Sequence, residues 1–372
     1  MQGRSRREFL KSSVAMVGLS GLAHGQAEQP RAARIRFAAV GLNHGHITGQ
    51  VDAVIRGGGE LVSFFAKEPE LAAAFRKRYP SARLARDVRE IINDETLQLV
   101  VSAAIPNERA PLGIEVMRHG KDFMVDKPAA TTLAQLAEVR RVQAQTKRIY
   151  SVLIARHEGR AVTRAAELID AGAIGRVIQT TALTPHRMNP TARPSWFFDR
   201  EQSGGILCDL ATHSVDEFLF FTRSTEATVV AAQVGNMDHP QFPGLDDFGD
   251  VLLRGNGGTG YVRVDWFTPG GLSAFGDGRL TILGTRGYIE LRNYVDIGGR
   301  AEGDHLFLVD RKETRYIDCR DVTLSWPARL VDDVVNRTET ANPQAQTFLA
   351  MQLALEAQKA ARRLPGFTPE KK

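Results

Sequence analysis

The chain has 372 residues, 43% hydrophobic and 24% charged, with a formal net charge of +5. Residues 1–27 hold Arg4, Arg6, Arg7 and Lys11 against Glu8 alone, so the rest carries only +2 and gives no case for nucleic-acid or membrane-surface binding. Two cysteines, Cys208 and Cys319, do not make a disulfide scaffold, although an oxidising compartment would let them pair.

The N-terminal stretch SRREFLK (5–11) looks like an address for export of folded protein. The apolar run that follows, SSVAMVGLSGLA (12–23), is too short to span a bilayer, which needs about 20 apolar residues. Small residues near Gly25 and Ala27 offer cleavage sites. Arginine pair, apolar run and small-residue exit come in the order of a twin-arginine signal over residues 1–27. The expected partner is the twin-arginine export machinery, and the expected location is the periplasm or another exported compartment, reached after folding in the cytoplasm. No later run is long enough to cross a membrane, and no repeat recurs at a fixed period.

RIRFAAV (34–40) is a strand ending at Gly41, and GLNHGHITGQVDAVIRGGG turns into an amphipathic helix. ELVSFFA (60–66) is a strand and EPELAAAFRKRYP (68–80) a helix. LQLVVSAAIP (97–106) is a buried strand, APLGIEVMRHG (110–120) a helix and KDFMVDKP (121–128) a short strand stopped by proline. A helix from TTLAQLAEVRRVQAQT and a strand from RIYSVLIA follow. This alternation predicts a doubly wound parallel sheet, with ligands at the carboxyl ends of its strands, where Gly41, Pro106 and Lys127 fall. Further on, the runs 174–185, 226–236, 247–268, 278–292 and 305–318 are β-prone and split by Gly-rich turns, with NGGTG a hairpin; the C-terminal residues read as helical.

Gly41, Leu42, Asn43, His44, Gly45 and His46 take the place of a dinucleotide fingerprint that lacks its second and third glycines. Helix N-terminal amides can still hold a pyrophosphate. An ordinary strand–helix turn is an equal reading. The H-x-H spacing of His44 and His46 invites a metal, but no carboxylate or cysteine cluster lies near in sequence, so none is expected. Ala66 stands where a ribose-binding acid is usual. Lys67 beside it would suit a 2′-phosphate and leans the cofactor towards NADP, while Glu68 could still reach a ribose.

Pro128 restricts Lys127 to extended backbone and so aims it. Asp209 and His213 are four apart, one face of a helix, where a carboxylate would orient an imidazole and raise its pKa. A plain helix-surface pair has the same spacing. PHRMNPTARPSWFFD (185–199) brings His186, Arg193 and Trp196 into a Pro-broken loop suited to a sugar, with His186 the foremost contact. Trp266 and Trp326 read as core, and His157 and Glu158 as lesser cleft candidates.

These motifs resemble the glucose–fructose oxidoreductase, inositol dehydrogenase and MocA (Gfo/Idh/MocA) family. The residues that carry the likeness are Pro106-Asn107, Asp126-Lys127-Pro128, the pattern Gly204-Gly205-x-Leu207-x-Asp209-x-x-x-His213, and LTILGTRGYIEL (280–291). The resemblance implies an NAD- or NADP-binding Rossmann-like domain over 34–153. It implies an α/β domain with a large open, mostly antiparallel sheet over 154–330, whose face packs in homo-oligomers. Helices over 331–363 would pack back on the first domain. It also implies that Gly41 to His46, Pro106, Asn107, Asp126 and Lys127 serve the cofactor. Lys127 would touch the reacting hydroxyl, and Asp209 and His213 would assist proton transfer. Aspartate at 126 and Arg109 after the Pro-Asn turn depart from the common pattern.

The expected activity is hydride transfer between a carbon-bound hydroxyl of a sugar, polyol or glycoside and a tightly held NAD(P). A redox-assisted glycosidase, with no net redox change, is one alternative. A sugar-binding protein that has lost its nucleotide is the other.

Overall fold

A computed structural model describes residues 33–366 apart from 155, 157, 158, 301 and 302. The expected export segment and the candidates His157 and Glu158 lie outside the described residues.

The first half alternates as the sequence predicts. Its elements are β1 (Ile35–Val40), α1 (His46–Arg56), β2 (Gly59–Phe65), α2 (Pro69–Arg78), β3 (Arg83–Leu84), α3 (Val88–Ile92), β4 (Leu99–Ser102), α4 (Pro106–Arg118), β5 (Asp122–Val125), α5 (Leu133–Thr146) and β6 (Tyr150–Val152). The six strands are parallel in the order β3-β2-β1-β4-β5-β6. The order reverses between β1 and β4, the place where such sheets open a crevice for ligands. β4 and β5 are buried along their whole length, which explains their apolar stretches at 99–101 and 123–125. α1 buries Ile47, Val51 and Val54 against Phe37 and Phe64, and full burial of each such side chain contributes ~1.5–3 kcal/mol. α4 begins four residues before its predicted start. Pro106 occupies its first turn, where a missing N–H costs nothing, so the Pro-Asn pair opens a helix.

After α6 (Arg160–Asp170) come β7 (Val177–Pro185), α7 (Arg200–Ser203) and α8 (Thr212–Thr222). Then follow β8 (Ala227–Gly235), β9 (Phe248–Gly255), β10 (Thr259–Asp265), β11 (Gly278–Gly284), β12 (Tyr288–Asn293), β13 (His305–Val309) and β14 (Thr314–Asp318). α9 (Trp326–Asn336), α10 (Gln344–Ala360) and β15 (Arg362–Arg363) end the described chain. The nine strands form one sheet, β14-β13-β12-β11-β7-β10-β9-β8-β15, antiparallel except for β7 with β10 and β8 with β15. Alternation is clean: Val251 and Leu253, Leu280 and Ile282, Ile289 and Leu291 point inward. Val215, Phe218 and Leu219 of α8 cover that inner face.

Two C-terminal helices tie the sheets together. Trp326, Leu330, Val331 and Val334 of α9 join the core of α1 and β1. α10 is apolar on two sides. Phe348, Met351 and Leu355 pack with the first sheet, and Ala350, Leu353 and Ala357 with the second. Cys208 and Cys319 are both buried free thiols.

Candidate active site

The carboxyl ends of β1, β2 and β4 are stitched together through Gly41. Its N–H donates to the Phe65 carbonyl at 3.1 Å, and its own carbonyl accepts from Ala103 at 3.0 Å. Its φ is +73°, and a Cβ there would stand 2.5 Å from the Ala104 Cβ, so only glycine fits. Leu42 turns into the core. Asn43 Nδ2 donates to Glu68 Oε1 at 2.8 Å. Gly45 caps α1 without a side chain, and open space lies beside both Gly45 and Gly49. An open helix N-terminus at the strand-order reversal suits the phosphates of a dinucleotide, so these residues fit one. Lys67 ion-pairs with Glu108 at 2.9 Å on an exposed surface, so its charge already has a partner.

Asp126, at the end of β5, gathers the neighbouring strand ends. Its carboxylate is fully buried. Oδ2 lies 3.1 Å from Arg109 Nη2 and 2.8 Å from His44 Nδ1, and Oδ1 lies 2.9 Å from His46 Nδ1. The Lys127 N–H donates to Oδ1 at 2.8 Å. Burial alone would raise this carboxyl; Arg109 and the two histidines outweigh it and hold it well below the usual range. Arg109 is 1% exposed and also donates to the carbonyls of Ala104 (2.6 Å) and Pro128 (3.1 Å). The carboxylate partner of His46 is therefore 80 positions away in sequence, and the same carboxylate meets His44. The three potential ligand atoms lie within 4.8 Å of one another, and Arg109 already places a positive charge on that carboxylate. Burial lowers the pKa of His44 despite the neighbouring Asp126.

Lys127 Nζ donates to Asp209 Oδ1 at 2.7 Å, with the lysine side chain 5% exposed. Burial would raise the Asp209 carboxyl, but the Lys127 ammonium outweighs it and lowers its pKa. This contact gives Asp209 a partner that its spacing from His213 does not reveal. Residues Leu207–Ala211 form a π-helical turn ahead of α8. The expected rise in the His213 pKa is reversed: burial, then Lys127, push it well below the usual imidazole range. His213 is thus a neutral imidazole in a cleft of about 470 Å³.

His186, Arg193 and Trp196 line the same cleft, with His44, His46, Pro106, Lys127 and Asp209. Burial, then Lys127, push His186 down to about 4. The Arg193 guanidinium stacks over Phe197 and Trp266 at 4.6 and 4.9 Å. Asn107 stands in the first turn of α4, its carbonyl accepting from Gln135 at 3.1 Å. Gly41, Leu42, Asn43 and Lys67 sit on the nucleotide side and do not line the cleft. Trp266, read from sequence as core, is 5% exposed yet also lines it. Sequence reasoning missed Glu217 entirely. It lies one α turn after His213, and that spacing was the available signal.

Comparison with known proteins places this architecture. Residues 13–154 match a model described as an oxidoreductase family with an NAD-binding Rossmann fold, and residues 162–290 match the Gfo/Idh/MocA C-terminal domain. A solved structure from Erwinia carotovora atroseptica is 43% identical, covering 89% of this chain and 100% of that one, with a TM-score of 0.87. The chain belongs to the Gfo/Idh/MocA oxidoreductase family. Levoglucosan dehydrogenase of Pseudarthrobacter phenanthrenivorans is 30% identical over 202 residues, 53% of this chain and 51% of that protein. The chain spans about half the length of the curated relatives it matches. An Agrobacterium radiobacter oxidoreductase solved with NAD+, L-tartaric acid and magnesium is 17% identical over 88% of this chain and 96% of that one; its TM-score of 0.74 shows the shared fold.

Proposed function

We propose that this protein transfers a hydride between a hydroxyl-bearing carbon of a sugar, polyol or glycoside and NAD or NADP. The observation that carries the reading is the Lys127–Asp209 ion pair beside a buried neutral His213, where Rossmann strand ends open into the cleft. Gly41, Gly45 and the first turn of α1 would hold the nucleotide phosphates, and Pro106 and Asn107 border them. The nicotinamide, when bound, supplies the hydride acceptor. Oxidation also removes a proton from the hydroxyl oxygen. His213 takes that proton, being uncharged in the resting site. The Lys127 ammonium steadies the oxygen as negative charge develops on it. Asp209 fixes the ammonium. His186, Arg193 and Trp196 offer polar edges and an aromatic face suited to a sugar ring. The name of the levoglucosan dehydrogenase relative supports that substrate class. Lys67, held to Glu108 only by an exposed ion pair, is the residue that would meet a 2′-phosphate if the nucleotide is NADP.

The order of features in residues 1–27 supports export after folding, and an exported enzyme must acquire its nucleotide first and keep it. Exposed Leu252, Leu283 and Tyr288 on the outer face of the nine-stranded sheet support self-association. The test is to purify the mature protein, denature it and identify released nucleotide by mass spectrometry. The expected result is near-stoichiometric NAD or NADP. Protein without nucleotide that also fails to bind it when added contradicts the reading.

A further inference from the structure

The inner end of the cleft holds a carboxyl that the proposed chemistry does not use. Glu217 is 6% exposed and lines the cleft on α8. Its neighbour Asp216 is fully engaged, by Arg156 Nε at 2.5 Å and Gln346 Nε2 at 2.8 Å. Glu217 has no hydrogen-bond partner among the described residues. Its side chain lines the cleft wall, where a bound molecule can reach it.

The placement suggests the use. Four residues of α-helix advance about 6 Å, so Glu217 stands roughly one sugar-ring width beyond His213 along the same helix face. Thr184 and Ser214, hydrogen-bonded to each other at 3.1 Å, line the same cleft. Two arginines of that lining are engaged elsewhere. Arg187 donates to the carbonyls of Pro269, Leu272 and Ala274, and Arg279 pairs with Asp277.

We propose that Glu217 sets substrate specificity by exchanging hydrogen bonds, as a neutral carboxylic acid, with a hydroxyl across the ring from the one oxidised. The preferred substrate is then an uncharged sugar or polyol at that end, not a uronate or sugar phosphate. Burial, then the adjacent Asp216, push the Glu217 carboxyl up to about 8, so it carries its proton at neutral pH. A protonated acid both donates and accepts, as a hydroxyl does. A carboxylate or phosphate in that position would lose its hydration beside a carboxyl rather than beside a cation. This inference rests on the dehydrogenase reading above and deepens it.

The test is steady-state kinetics of wild type, E217Q and E217L on neutral sugars and their matching uronates and phosphates, with thermal melts of each. E217L should raise KM at least ~10-fold on the best neutral sugar with little change in kcat, because the substrate hydroxyl loses its partner. Its melting temperature should stay close to wild type, since no hydrogen bond to another described residue is lost. E217Q keeps a donor and an acceptor and should stay within a few-fold of wild type. If E217L does not fold, E217A gives the same reading. Unchanged KM in the leucine or alanine variant overturns the role of Glu217 and leaves the dehydrogenase reading standing, as does equal use of uronates by wild type. No nucleotide-dependent turnover of any sugar by wild type removes both.

Discussion

Alanine at Lys127 lowers turnover about a thousandfold while nucleotide affinity stays within a few-fold, the scale expected when one charge-stabilising donor leaves a buried site. The ammonium is held 2.7 Å from Asp209 and is almost wholly buried, so no solvent cation takes its place. Its loss also strands the Asp209 carboxylate, whose pKa then rises for want of its main stabilising charge. Stability should therefore fall together with activity, but for a separable reason. The double variant K127M/D209L removes both charges and should regain stability without regaining turnover. Stopped-flow reduction of bound nucleotide, with binding isotherms alongside, reads the two effects apart. Near-wild-type reduction by K127A would remove Lys127 from the chemistry.

Methionine at Arg109 should cost about 3–5 kcal/mol of stability, the range found when one partner of a buried ion pair is deleted. Arg109 is fully buried and bonds to the carbonyl of Ala104 after β4, to Asp126 after β5 and to the Pro128 carbonyl beyond it. Without it Asp126 keeps only the two histidines, one of which has an exposed side chain, as charge partners. The strand ends that frame the nucleotide lose a common anchor. Urea unfolding monitored by circular dichroism measures the loss. R109M/D126N should recover part of it, because the uncompensated charge is gone. An unchanged midpoint in R109M would contradict the account of Asp126 as a charge hub.

Sequence made the sheets legible where one physical signal dominates. The apolar stretches 99–101 of β4 and 123–125 of β5 mark strands buried on both faces, and the Gly-rich turn between β9 and β10 marks a hairpin. Lys127, Asp209, His186 and Trp196 were found from motif and loop position, and they do line one cleft. Side-chain pairing was not legible. A parallel sheet brings the ends of β1, β4 and β5 together from positions 41, 103 and 126, and no local pattern says which side chains then meet. Asp126 was thus assigned to cofactor, while its contacts with His44, His46 and Arg109 stayed hidden. Spacing at Asp209 pointed along its own helix and gave no sign of Lys127, 82 positions earlier. Arg109 was noticed only as a departure from a pattern, since nothing local shows a buried carboxylate waiting 17 residues on.

The most direct test of the central claim follows the transferred hydrogen. The nucleotide-loaded protein is mixed with perdeuterated neutral sugars, and the reduced nucleotide is weighed by mass spectrometry. Hydride transfer from a carbinol carbon predicts NADH or NADPH carrying one deuterium. Bound nucleotide that stays oxidised or unlabelled with every sugar, while the protein remains folded, would contradict it.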